Sequence, residues 1–151
     1  MGSPIAAQGR PSRTNLGRTE NTSKPEKSDS HVLELFRLTA LIYSDLVIFP
    51  VAFFSRVRKK LAVQLAKAYQ QHNSSIDEPE LELWLLSLGG IASLQTPTRR
   101  WYCERLKKVS DYLCPNGNFE MFLYIVRGFL WWDPSASPVR AFWSEVYPED
   151  L

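Results

Sequence analysis

Residues Leu81–Leu94 read Leu-Glu-Leu-Trp-Leu-Leu-Ser-Leu-Gly-Gly-Ile-Ala-Ser-Leu. At helical spacing Leu81, Trp84, Leu85, Leu88, Ile91 and Ala92 form one stripe, and Leu83, Leu86 and Leu94 cover much of the remaining circumference. A helix that is apolar nearly all round belongs in an interior, with neighbours on several sides. Gly89 and Gly90 fall near its middle, where each costs ~1 kcal/mol relative to Ala. Close approach of another helix is the first reason to keep them there, and a local break is the second. The expected fold is all-α, a multi-helix bundle of about five to six helices around this central buried helix, with a disordered N-terminal tail.

Working outward, Asp77-Glu78-Pro79-Glu80 is a helix start: Asp77 can cap, Pro79 suits an early position, and the acids favour the positive end of the helix dipole. Thr96-Pro97 predicts the next helix, running to about Leu113 with Tyr102, Leu106, Val109 and Leu113 on one face. Pro115-Asn116-Gly117-Asn118 is a turn, with Asn118 as the following cap. Phe119, Phe122, Val126 and Phe129 make a further buried helix that ends at Trp131-Trp132-Asp133-Pro134, and Ser137-Pro138 starts a short last one.

Upstream, a helix is predicted from near His31 to about Val47, capped by Asp29 or Ser30, with Glu34, Arg37, Ser44 and Asp45 as its polar edge. His31, in its first turn, reads as exposed, and no partner stands at metal-ligand spacing. Residues 35–54 are largely apolar, but Arg37, Asp45 and Pro50 interrupt them. The uncharged piece after Asp45 falls short of the ~20 residues a membrane span requires, so a buried helix is expected there. A second helix, about Val51 to Gln71, carries the stripe Phe54, Val57, Leu61, Leu65 and Ala68. Arg56, Arg58, Lys59, Lys60 and Lys67 crowd its other side and read as a solvated face rather than a nucleic-acid surface.

At 151 residues the chain is sized for one domain. Residues 1–30 hold only Ile5 and Leu16 as large aliphatics and no aromatic, so they are expected to form a disordered tail, and 31–151 the folded module. Arg10, Arg13, Arg18, Lys24 and Lys27 against Glu20, Glu26 and Asp29 put the whole chain's net charge of +2 in that tail. A neutral folded part argues against a phosphate-binding surface. Gly9-Arg10-Pro11-Ser12-Arg13 is similar to a minor-groove hook, but Gln8 replaces the leading arginine and no second copy follows, so it reads as linker. Two cysteines, Cys103 and Cys114, make no disulfide framework. On one helix they would stand roughly 16 Å apart, beyond the reach of a disulfide. The N-terminus is polar with no continuous apolar core, so a secretory signal is not expected.

Motifs for chemistry are missing. His31, His72, Cys103 and Cys114 are isolated from one another, and there is no Gly-x-Ser-x-Gly, phosphate-cradling loop or metalloprotease pair. Glu80 and Glu82 sit in an acidic helix start, where capping explains them without general acid/base work. No catalytic, cofactor-binding or metal residue is assigned, and the chain is expected not to be an enzyme. Trp131 and Trp132 are adjacent, so a helix cannot bury both equally, and they are the candidate partner contact.

Three stretches in order, Leu33-Glu34-Leu35-Phe36-Arg37-Leu38-Thr39-Ala40-Leu41-Ile42-Tyr43, Leu83-Trp84-Leu85-Leu86-Ser87-Leu88-Gly89-Gly90-Ile91-Ala92 and Val126-Arg127-Gly128-Phe129-Leu130-Trp131, point to one family. With Trp101-Tyr102-Cys103-Glu104-Arg105-Leu106 between them, they resemble the C-terminal part of the fungal-specific transcription factor domain, the helical regulatory region of fungal zinc-cluster transcription factors. Such factors normally begin with a six-cysteine zinc cluster that reads DNA, which two cysteines cannot build. The resemblance implies a nuclear, non-enzymatic regulatory module working through protein partners and a small-molecule effector, without nucleic-acid contact of its own. Faces left open by missing upstream helices would drive self-association. The alternatives are a small-molecule-binding or structural helical protein with no transcriptional role, and, behind it, a peripheral membrane protein using residues 35–54.

Overall fold

The structure, a computed structural model, describes residues 2, 25–48, 55–71, 76–131 and 136–149. Among them the chain is all-α: α1 (Pro25–Ile48), α2 (Ser55–Gln71), α3 (Pro79–Ala92), α4 (Arg99–Leu113), a 3-10 turn (Pro115–Gly117), α5 (Phe119–Val126) and α6 (Ala136–Val146), with no strand. None of these helices is long and apolar enough to cross a membrane.

Every residue of α3 from Glu82 to Ala92 is buried, and the helix packs against each of the other five. The two glycines are sites of close approach. A Cβ on Gly89 would stand 2.7 Å from Tyr102 Cζ of α4, and one on Gly90 would overlap the Phe142 ring of α6. The helix continues unbroken through both. Gly90→Ala is therefore expected to destabilise by ~1–3 kcal/mol, because overpacking a caged ring outweighs the ~1 kcal/mol gained in helix propensity. An unchanged or raised urea midpoint would show that Phe142 can step aside.

α1 begins six residues before the expected start, so His31 lies well inside the helix rather than in its first turn. It is buried, and it shares one face with Leu35, Leu38, Ile42 and Asp45 at i, i+4, i+7, i+11 and i+14. Both the exposed reading of His31 and the polar-edge reading of Asp45 are corrected by that face. Residues 1 and 3–24 of the expected tail lie outside the described residues.

α2 is rotated from the predicted stripe. Its buried residues are Ala62, Leu65, Ala66 and Tyr69, while Val57 is exposed and Leu61 and Ala68 are half-buried. The two alanines decide this, since small side chains let α2 come close enough for Tyr102 Oη to donate to the Ala62 carbonyl at 2.5 Å. Phe54 lies outside the described residues.

The helix boundaries follow local hydrogen bonds. Glu78 occupies the α3 cap position, with Pro79 at the first helical position, and Asp77 stands outside it. Thr96 does not start α4, because its hydroxyl is spent on the Ser93 carbonyl at 2.7 Å, and the helix begins two residues further on, after Thr98. Asn118 caps α5 as expected, accepting from the Met121 amide at 3.0 Å. α5 stops at Val126 rather than reaching Trp131, and Gly128 and Phe129 bond back to Ile125 and Val126 in tight turns.

Candidate interaction surface

Buried charge in this bundle is consumed by pairing between helices. At the junction of α2, α3 and α4, the Tyr69 hydroxyl donates to Glu82, and Arg105 donates to Glu82 at 3.1 Å and to Tyr69 at 2.9 Å. The Arg105 guanidinium also lies over the Tyr69 ring, 5.1 Å from its centroid. Burial raises the Glu82 carboxyl above its ordinary range, with Arg105 pulling the other way. Between α1 and α2, Arg58 donates to the buried Asp45 at 2.7 Å. This turns one of the five α2 cations inward, and Lys59 reaches Gln95 at 3.0 Å. Arg56, Lys60 and Lys67 remain on the exposed face.

At the far end of α3, Arg99 forks onto Glu145 of α6 at 2.9 and 2.7 Å, donates to the Gly90 carbonyl and lies over Phe142 at 4.5 Å. One guanidinium thus ties α4 to α6, satisfies a carbonyl at the helix terminus and cages the ring against Gly90. The hydrogen bond from Arg99 lowers the Glu145 carboxyl.

These side chains bond one another, and the Cys103 thiol donates to the Glu145 carboxylate at 3.8 Å. The two thiols are suppressed: burial and then the nearby Glu145 push Cys103 up to about 11, and burial pushes Cys114 up to about 11. Thiolate at neutral pH is then about 100-fold scarcer than for an ordinary cysteine. Alkylation of the native chain by iodoacetamide is expected to slow by a similar factor relative to the urea-unfolded chain, and equal rates would contradict it. Among the described residues no group of His, Cys, Asp and Glu could hold a metal ion.

One face of α1 stays open. Leu33, Phe36, Leu41, Val47 and Ile48 are exposed, Leu33 to 67% and Ile48 to 63%. Leu33, Phe36 and Val47, with the half-buried Ala40, lie about half a turn from the buried His31–Ile42 face, and Leu41 and Ile48 flank them. α1 is thus apolar on two opposite sides, one of them covered by α2 and α3. The exposed side carries one ion pair, Glu34–Arg37 at 2.8 Å, which neutralises itself. Phe36 connects this face to the core, its ring 5.6 Å from that of Trp84.

Of the two tryptophans singled out as a partner contact, Trp131 is half-buried, edge-on to Phe122 at 6.3 Å, and Trp132 lies outside the described residues. The two-sided α1 is the feature that sequence reading missed, although the apolar positions of 33–48 are too many for a single stripe. Glu82 carried a signal too: a charge in a run apolar on all sides must find a partner. No family model, curated protein or solved structure matches this chain.

Proposed function

We propose that this chain is a non-enzymatic helical interaction module whose working surface is the exposed apolar face of α1. The observation that carries this reading is a helix apolar on two opposite sides with only one side covered. Exposed apolar faces of this kind mark protein contacts. The first partner is a second copy of the chain. An antiparallel pair of α1 helices crossing near Ala40 and Leu41 sets Leu33 of each copy near Ile48 of the other, and Glu34 and Arg37 on this side already neutralise each other. A transcription-regulatory role, acting in the nucleus through such contacts, rests on the resemblance of the segments quoted above.

Two measurements separate these levels. In size-exclusion chromatography with light scattering, the chain is expected to show a concentration-dependent dimer that Leu33→Glu together with Ile48→Glu converts to monomer. A clean monomer across concentrations for the unaltered chain would end the α1 reading. The regulatory role is tested by tethering residues 31–151 to a heterologous DNA-binding domain upstream of a reporter. No change in output in either direction would leave a helical interaction or ligand-binding protein without a transcriptional task.

A further inference from the structure

A cleft of about 410 Å³ lies between the Pro115–Gly117 turn and α6, away from α1. That volume is in the range of small-molecule sites. Its apolar wall is a ladder of rings: Phe119 and Trp143 stand 5.9 Å apart, and Trp143 and Tyr147 4.8 Å. The ladder is held from behind. Trp143 Nε1 donates to the Gly117 carbonyl at 3.2 Å, and the Tyr147 hydroxyl is engaged by Ser110 and Asp111, each at 2.7 Å. The rings are therefore set in place before anything binds.

Cations flank the ladder at both ends, Arg140 over Phe119 at 4.9 Å and Lys107 over Tyr147 at 4.4 Å. Lys107 also faces Asp111 at 3.6 Å. Arg58, Arg99 and Arg105 all reach carboxylates, whereas the exposed Arg140 lies over the Phe119 ring without a carboxylate partner among the described residues. The guanidinium stands beside the ring at the cleft wall, and its N–H donors can take a planar carboxylate by a bidentate bond. Glu149 on the rim disfavours a second negative charge on whatever enters.

We propose that this cleft binds a planar organic monoanion, an aromatic or heteroaromatic carboxylate, with the ring against Phe119, Trp143 and Tyr147 and the carboxylate on Arg140. The site is independent of the α1 surface.

The test uses the full chain and three probes of one shape: naphthoate, naphthylmethanol and naphthylmethylammonium. Binding is followed by NMR at the Trp143 indole N–H and the Gly117 amide. Naphthoate is expected to shift both signals and to bind about tenfold tighter than the alcohol, with the ammonium weakest. Arg140→Gln brings naphthoate down to the level of the alcohol with unchanged circular dichroism. Glu149→Gln tightens naphthoate about threefold, a gain that no loss of folding can mimic. Equal affinity for the three probes, shifts confined to other residues, or indifference to Arg140→Gln would each overturn the proposal. Stronger shifts of the same signals by an oligoproline peptide would overturn it in favour of a peptide groove.

Discussion

Trp84→Ala is expected to cost ~3–5 kcal/mol of folding stability, a large share of the ~5–15 kcal/mol that holds a domain together. Trp84 is fully buried, with its ring between Phe36 of α1 at 5.6 Å and Phe129 at 5.7 Å. Truncation opens a cavity bounded by two aromatic rings that cannot collapse onto each other. It also removes the indole N–H that bonds the Leu130 carbonyl at 2.8 Å, leaving that acceptor unsatisfied. Trp84→Phe isolates the second contribution, since it keeps most of the ring contact and loses the donor, and ~1–2 kcal/mol is expected. Urea unfolding measures both. Hydrogen exchange should also quicken in α1 around Phe36, because that residue's ring meets Trp84. Equal losses for the two variants would show that the hydrogen bond, and not the ring, sets the stability here.

The second large effect belongs to Glu82. Glu82→Ala leaves the buried Tyr69 hydroxyl without its acceptor and the part-exposed Arg105 without its carboxylate, and ~1–3 kcal/mol is expected for the unsatisfied groups. Glu82→Gln keeps an acceptor for Tyr69 and for Arg105 and should cost clearly less. The charge is read through pH. Burial raises the Glu82 carboxyl above the ordinary 4.5, so the folded chain holds this proton more tightly than the unfolded one. The stabilisation from that proton is complete below the unfolded value and is lost as pH rises through the folded value. The stability of the unaltered chain relative to Glu82→Gln should therefore fall between acid and neutral pH. A rising difference would mean that Arg105 outweighs burial and that the carboxylate is the favoured form.

Legibility followed the range of the forces involved. The apolar run and its glycines announced a buried helix over 81–92, because a helix without a polar side has nowhere else to go, while Leu94 falls past its end and is exposed. Asn118 announced its cap, since the bond it makes is three residues away. The errors share a cause. Thr96 looked like a cap until its hydroxyl was claimed by Ser93, and His31 looked exposed because the helix start was placed six residues late. Glu82 looked like part of an acidic helix start until Tyr69 and Arg105, from two other helices, closed around it.

The α1 surface and the aromatic cleft were legible to different degrees. The number of apolar residues between Leu33 and Ile48 exceeds what one stripe needs, so the excess was visible, but which side would be covered was not. Nothing in the spacing of Phe119, Arg140, Trp143 and Tyr147 brings them together, because the turn at Pro115–Gly117 and the docking of α6 do that.

By itself, then, the amino-acid sequence determined that the chain is helical and which run must be buried, since periodicity and caps act within a turn or two. Only the tertiary structure decided how each helix is rotated about its axis, which charges meet and which apolar face is left over. Those outcomes are set by side chains distant in sequence competing for the same space, as Ala62 and Ala66 show by turning α2 toward Tyr102 and leaving Val57 outside.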